Sequence, residues 1–221
     1  MTTLANAVFR GALVVLLPAL AGCVGARQTS PDNPTSAGGL TPNVNDKDAG
    51  LVALAPGFDI TKYKIIVVEK LPVTDPDIKD EGDRRFAAKM APKLQIELVR
   101  RLRDSGLFQR VVNASETEFT PGAGPVLRLQ GMITRLGRGS QAARYFAGIY
   151  GAGRTRAQAD LRFVEVSSGR VVMVTADRRI ASVGGFGGSD EGHLEESFDD
   201  MARDFAKFLV RLSKGEAPRQ D

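Results

Sequence analysis

TRAQADLRFVEVSSGRVVMVTADRRIASV, residues 155–183, contains two runs of strand-forming residues separated by a short polar turn. In the first run Ala157, Ala159, Leu161 and Phe163 alternate with polar residues, which is the period of a strand with one face in a core. The SSGR turn leads directly into VVMVTADRRIASV, so the two runs are predicted to form a β-hairpin.

Three more strands are predicted upstream of the hairpin. Residues 63–73 contain the run IIVV, which is typical of a central strand covered on both faces. Residues 107–114, LFQRVVNA, predict a short strand, and residues 126–136 alternate apolar with polar side chains.

Two amphipathic helices complete the predicted domain. The first, over residues 82–106, has apolar side chains every four residues, namely Phe86, Met90, Leu94, Leu98 and Leu102. Pro92 predicts a kink or a late start, and Gly106 a C-terminal stop. The second helix begins near Ser189 and stops near Gly215. We therefore expect an α/β (α+β) domain over residues 51–215 with the order β-α-β-β-β-β-α. A single mixed or antiparallel sheet is covered by the two helices, and residues 216–221 form a disordered tail.

The N-terminus reads MTTLANAVFRGALVVLLPALAGC. Its apolar run, residues 11–22, is shorter than the ~20 residues that a transmembrane helix needs, so residues 1–22 are predicted to be a signal peptide. The ending LAGC resembles the lipobox of bacterial lipoproteins, which implies that Cys23 is acylated, with palmitate among its chains, and anchors the protein in a membrane. Val24 resembles the sorting signal for the outer membrane, on its periplasmic face. The alternative is a soluble secreted protein with an incidental cysteine.

Residues 24–50, VGARQTSPDNPTSAGGLTPNVNDKDAG, are rich in Pro, Gly, Ser, Thr and Asn and lack apolar periodicity. Such a composition buries too little surface to offset the entropy of ordering. Residues 23–50 are therefore expected to form the acylated cysteine and a flexible tether with an r.m.s. reach on the order of 30 Å.

Composition excludes several functions. The net charge is +4 and falls to +3 when residues 1–22 are removed with Arg10, which is too mild to indicate nucleic-acid binding. Cys23 and His193 are the only cysteine and histidine, so we expect no disulfide, no His/Cys metal site and no cofactor. His193 is predicted to be a surface residue. Asp199, Asp200 and Asp204 could form a carboxylate pair but are expected to be solvated, so an enzyme is not predicted.

Residues 137–154, GRGSQAARYFAGIYGAGR, do not match a nucleotide-binding loop, because the glycines precede a strand instead of opening a helix. No acid occurs between Thr120 and Ala159, whereas six arginines do, namely Arg128, Arg135, Arg138, Arg144, Arg154 and Arg156. The last helix is strongly acidic. The arginines could contact an anionic envelope lipid or polysaccharide, or the acidic helix of the same or a neighbouring subunit, or simply form a solvated face.

The run from residue 137 to residue 172 resembles the signature of a bacterial lipoprotein family known as a domain of unknown function, number forty-four ten. The matching positions are Gly139, Arg144, Gly148, Gly151, Gly153 and Gly169. The resemblance covers residues 63–212. More distantly, the order of elements is similar to the periplasmic α/β domain of the outer-membrane lipoproteins of curli secretion and Pel polysaccharide export, which form rings.

Together these features predict a non-enzymatic scaffold or accessory subunit of an envelope assembly or export system, anchored in the outer membrane. We expect either a homo-oligomer or a complex with another envelope protein. The alternative is a binding module for an anionic envelope lipid or polysaccharide, which would use Arg138, Arg144, Arg154 and Arg156. The sequence does not identify the partner or the pathway.

Overall fold

A computed structural model describes residues 26–120, 124–137, 155–180 and 190–219. Within these ranges, eight strands form one sheet, and two long helices lie on one of its faces. The strands are β1 (Arg27–Thr29), β2 (Val44–Asp46), β3 (Gly50–Leu54), β4 (Ile65–Val68), β5 (Arg110–Asn113), β6 (Val126–Gly137), β7 (Arg156–Glu165) and β8 (Val171–Ile180). The helices are α1 (Glu81–Asp104) and α2 (Asp190–Ser213), and a short 3-10 helix spans Ile60–Lys62.

The order of strands across the sheet is β2-β3-β8-β7-β6-β4-β5, with β1 paired to β8 beyond the end of β3. Strand β4 runs parallel to β5 and β6, and all other pairs are antiparallel. The predicted fold class is confirmed: the domain is mixed α/β, with one mostly antiparallel sheet and two helices. The predicted hairpin is the β7–β8 pair at the centre of this sheet.

Helix α1 does not have the late start that Pro92 predicted as one possibility. The Asp80 side chain caps it by accepting the Asp83 N–H at 2.7 Å, and the helix runs through Pro92 to Asp104. Gly106 follows with φ of 67°, the left-handed conformation that ends helices and favours glycine. Tertiary packing therefore overrides the local cost of the proline.

The main core lies between the two helices and the sheet face that they cover. Its largest fully buried side chains include Phe163 of β7, Met90 and Leu98 of α1, and Phe198 and Phe208 of α2. Each contributes about 1.5–3 kcal/mol relative to an exposed side chain. Long-range packing of this kind fixes both helices on the sheet.

The structure differs from the flexible tether predicted for residues 23–50. From Ala26 onward the segment belongs to the domain, because β1 pairs with β8 and β2 pairs with β3. Between these strands the chain crosses the second face of the sheet: the Asp32 N–H donates to Gln158 Oε1 at 2.7 Å, and the Thr35 N–H to Asp160 Oδ2 at 2.7 Å. Partners more than 100 residues away supply the order that composition does not reveal.

The C-terminal tail predicted to be disordered is also held in place as far as Arg219. The Arg219 N–H donates to Asp46 Oδ2 at 2.9 Å, and the Lys47 N–H donates to the Arg219 carbonyl at 3.0 Å. Asp46 is buried and accepts a further pair of hydrogen bonds from Arg211 Nη2 at 2.7 and 2.8 Å. This carboxylate joins β2, α2 and the tail.

Neither helix of the described ranges combines the length and apolarity needed to cross a bilayer. The predicted signal peptide, residues 1–22, and Cys23 lie outside the described residues.

Candidate functional site

Most residues predicted to contact a ligand or another subunit lie outside the described residues. These are Cys23, Arg138, Arg144 and Arg154, together with Gly139, Gly148, Gly151 and Gly153. Arg156 is described: it begins β7, its side chain is exposed, and its Cα is paired with Gly137 of β6 and Ile180 of β8. The roles assigned to the other residues stay predictions, and Arg156 marks the end of the sheet at which residues 138–154 join it.

A cleft of about 250 Å³ lies beside Arg156. Its charged lining residues are Asp75, Asp77, Asp83, Arg135 and Arg156. Asp75 is buried, and its Oδ2 accepts the Leu136 N–H at 2.7 Å, while its Oδ1 lies 3.5 Å from Arg135 Nη1. The cleft therefore carries both signs of charge, and its central carboxylate already serves to join the chain before α1 to β6.

The other described arginines of the acid-free stretch form ion pairs inside the domain. Arg128 Nη1 lies 2.7 Å from Glu69 Oε1. Arg135 Nε lies 3.9 Å from Asp32 Oδ2, in addition to its contact with Asp75. These two side chains are about two-thirds or more buried, so they stabilise the sheet instead of presenting charge to a ligand.

The acidic face of α2 lies against the basic face of α1. Lys89 Nζ is 2.7 Å from Glu191 Oε2, and Lys93 Nζ is 2.9 Å from Glu195 Oε1. This differs from the interpretation in which the acids of this helix contact the arginines of residues 120–159. The positively charged partner of these acids is the other helix of the same chain.

Farther along the same interface, Asp199 binds two arginines of α1. Its Oδ1 accepts hydrogen bonds from Arg101 Nη2 at 2.6 Å and from Arg100 Nη2 at 2.7 Å. Partial burial acts to raise the pKa of Asp199, but the Arg101 hydrogen bond and the charges of both arginines outweigh it, so the pKa is lowered. Asp199 is thus a fixed carboxylate that joins α1 to α2.

A buried ionic network joins α2 to β8. Arg179 Nε donates to Asp177 Oδ2 at 2.9 Å, and Arg179 Nη1 donates to Asp204 Oδ2 at 3.0 Å. Burial raises the pKa of Asp177. Burial also acts to raise the pKa of Asp204, but the Lys207 hydrogen bond and the Arg179 charge outweigh it and lower the pKa. The network holds one end of the sheet against the middle of α2.

Asp200 holds the start of the described chain. Its Oδ2 accepts the Ala26 N–H at 3.2 Å, and its Oδ1 lies 2.5 Å from Arg203 Nη2. Both Ala26 and Asp200 are buried. Sequence reasoning missed this contact, because 174 residues separate its partners, and treated Asp200 as a solvated acid.

These contacts bear on the carboxylates considered for acid chemistry. A general acid needs a raised pKa, whereas the pKa values of Asp199 and Asp204 are lowered. In the part of the chain that the structure describes, no group of three or more His, Cys, Asp or Glu side chains could hold a metal ion. His193, predicted to be a surface residue, is half-buried, and its carbonyl accepts the Ser197 hydroxyl at 2.8 Å.

A family model described as "Domain of unknown function (DUF4410)" matches residues 65–185. The match spans β4 to β8 and α1, and it includes the glycine-rich run. The family resemblance predicted from that run is therefore confirmed. No curated protein matches the chain.

Several solved structures are similar to the chain. A PelC dodecamer from Paraburkholderia phytofirmans is 11% identical, covers 70% of this chain and 94% of its own, and has a TM-score of 0.43. A DUF330-family protein from Xanthomonas campestris is also 11% identical, covers 74% of this chain and 92% of its own, and has a TM-score of 0.43. The distant similarity to the Pel system that the order of elements predicted is thus found in the PelC match.

Proposed function

Because the chain belongs to the DUF4410 family, whose description carries no activity, we propose a function from its own residues. The protein is a lipoprotein of the bacterial envelope, anchored through acylated Cys23 on the periplasmic face of the outer membrane. It acts as a non-enzymatic scaffold or accessory subunit of an envelope assembly or export system.

The observation that carries this proposal is that the acidic side chains form structural contacts inside the domain. The carboxylates that the sequence offered for chemistry join structural elements: Asp199 joins the two helices, Asp200 holds the N-terminal chain, and Asp204 joins α2 to β8. Side chains fixed in this way favour a rigid body that works through its surface.

Two surface features suit contact with other proteins. Strand β5 lies at the edge of the sheet, and edge strands present backbone groups that can pair with another chain. Ile96 on α1 and Val44 on the short strand β2 are the large apolar side chains most exposed in the described residues, at 49% and 46%. These positions are our candidates for subunit contacts.

The anchor is supported by the sequence LAGC and by the short link between its cysteine and the domain. Only Val24 and Gly25 separate Cys23 from Ala26, the first buried residue of the domain. At roughly 0.8 kcal/mol per buried methylene, several acyl chains would hold the protein on the membrane essentially permanently.

Two measurements on the full chain in Gram-negative cells test the proposal. Palmitate labelling should mark the wild-type chain and be lost in Cys23→Ala; equal labelling of both would contradict the anchor.

A photo-cross-linking residue at Ile96 or Val44 should give discrete adducts, with the exposed Ser167 in the β7–β8 turn as matched control. An absence of adducts at both apolar positions, or equal adducts at Ser167, would contradict assembly through these surfaces.

A further inference from the structure

The domain begins almost at the lipid anchor. Ala26 is buried, its N–H binds Asp200 of α2, and it comes three residues after Cys23. Three extended residues span at most about 10 Å. A domain seated this way cannot move far from an acylated Cys23, in contrast to the reach of about 30 Å expected of a flexible tether.

The chain stays fastened beyond Ala26. Arg27 pairs with Ile180 in the β1–β8 ladder, and Gln28 Nε2 donates to Asp177 Oδ1 at 3.2 Å. Asp32 accepts from Arg178 Nη1 at 2.7 Å. The short link to Cys23 is therefore joined to a rigid strand, which fixes the direction from which the anchor approaches the sheet.

That direction is set by a row of paired residues. Arg27 of β1 pairs with Ile180 of β8, Ile180 with Arg156 of β7, and Arg156 with Gly137 of β6. The row therefore crosses four strands at one end of the sheet, and the chain from Cys23 enters at this end. We call it the anchor end.

The chemistry of the anchor end fits a lipid headgroup layer. Arg27 and Arg156 are both exposed. Guanidinium groups bind phosphate through paired hydrogen bonds. Three acids line the cleft beside Arg156, namely Asp75, Asp77 and Asp83. Asp75 is buried and its charge is met by Arg135 and the Leu136 N–H, whereas Asp77 is exposed. The segments that continue from this end, residues 138–154 and 181–189, contain no acidic residue in their sequence.

We propose that the anchor end of the sheet lies on the phospholipid headgroup layer, with Arg27 and Arg156 against the phosphates, and that the β7–β8 turn points away from the membrane. The proposal rests on the lipid anchoring proposed above. Because β7 has ten residues, from Arg156 to Glu165, the turn stands about 30 Å farther from the bilayer at about 3.3 Å for each step between residues.

Fluorescence quenching on the full lipidated chain tests this orientation. Cys23 is the only cysteine and its thiol is blocked by acylation, so an introduced cysteine is the only one that a thiol-reactive dye can label. We would place the dye at Arg27→Cys or, as a second position, Arg156→Cys, and use Ser167→Cys as the distal control. The membranes would be phosphatidylethanolamine and phosphatidylglycerol vesicles that contain a phospholipid with a nitroxide headgroup.

The proposal expects quenching several-fold stronger at positions 27 and 156 than at position 167. Inserting ten Gly/Ser residues after Val24 should weaken the quenching at position 27, because the link would gain an r.m.s. reach of roughly 18 Å. Equal quenching at all three positions of an acylated chain would overturn the orientation and leave the anchor intact. Intact-mass analysis without an acyl adduct would overturn the proposed anchoring and this proposal with it.

Discussion

Arg179→Met should be among the most destabilising single substitutions in the domain. The Arg179 side chain is 5% exposed and lies between the carboxylates of Asp177 and Asp204, at 2.9 and 3.0 Å. Removing one partner of a buried ionic group leaves uncompensated charge and costs about 3–5 kcal/mol. Asp204 keeps Lys207, and Asp177 keeps Gln28, so we expect the lower end, about 3 kcal/mol.

A matched control is available on the same carboxylate. Lys207 also contacts Asp204, at 2.9 Å, but its side chain is 56% exposed. Exposed ion pairs contribute about 1 kcal/mol or less, so Lys207→Met should change stability little. In urea denaturation followed by circular dichroism, Arg179→Met should therefore lose at least about 2 kcal/mol more than Lys207→Met, or roughly 4–8 °C in Tm for a domain of this size.

The double variant Asp177→Leu with Arg179→Met separates network loss from simple misfolding. Replacing both members of a buried pair by apolar side chains is often close to neutral, so the double variant should recover much of the loss. If Arg179→Met and Lys207→Met have equal free energies of unfolding, or if the double variant is no more stable than Arg179→Met, then Arg179 does not hold α2 on β8 as we argue.

Three further predictions concern other contacts. Asp199→Asn should lower the free energy of unfolding by about 1 kcal/mol at pH 7. Because the pKa of Asp199 in the folded protein is lowered from 3.8, the difference from wild type in urea titrations should vanish as the pH falls through this lowered pKa. Tyr63→Phe removes the hydrogen bond to Glu165 and should lower the free energy of unfolding by about 1 kcal/mol at neutral pH. Burial, and then this hydrogen bond, raise the pKa of Tyr63 to about 12. The difference in stability from wild type should therefore shrink as the pH rises from 10 to 12. Gly131→Ala would place a methyl group 2.4 Å from the Asp160 carbonyl oxygen, so its Tm should fall by an amount that corresponds to about 1–3 kcal/mol. A pH-independent effect of Asp199→Asn or Tyr63→Phe, or an unchanged Tm for Gly131→Ala, would contradict the respective contact.

Local pattern predicted the elements that carry periodic side chains. The alternation of residues 126–136 and 157–166, the IIVV run and the apolar stripes of both helices each correspond to an observed strand or helix. The stop at Gly106 was also correct, since its φ of 67° is a local requirement. These features depend on near neighbours along the chain, which a single sequence contains.

The sequence did not reveal elements whose order comes from distant partners. Strand β1 has three residues and no periodicity, and it forms because β8 offers an unpaired edge at Ile180. Asp46 looks like a loop acid in the sequence, yet it binds Arg211 and the Arg219 N–H. The sequence predicted solvated acids on α2, but Asp200 and Asp204 are buried. Glu191 pairs with Lys89 of α1, which lies 102 residues away in the chain.

The same limit applies to the candidate site. The arginines were selected by the absence of acids near them in sequence, but Arg128 pairs with Glu69 across neighbouring strands. Of the four arginines predicted to contact a ligand or subunit, only Arg156 lies in the described residues, where it is exposed. We choose Arg156 as a contact residue because it is exposed at the anchor end, and not because arginines are frequent in its part of the sequence.

The native mass of the chain extracted in mild detergent from the cells that produce it tests the central claim most directly. A scaffold or accessory subunit should give a discrete species well above the 23.7 kDa of one unprocessed chain, by light scattering corrected for bound detergent. Because the ionic contacts of α2 are internal, this species should persist as salt rises. A single chain with no partner at every concentration would contradict the account.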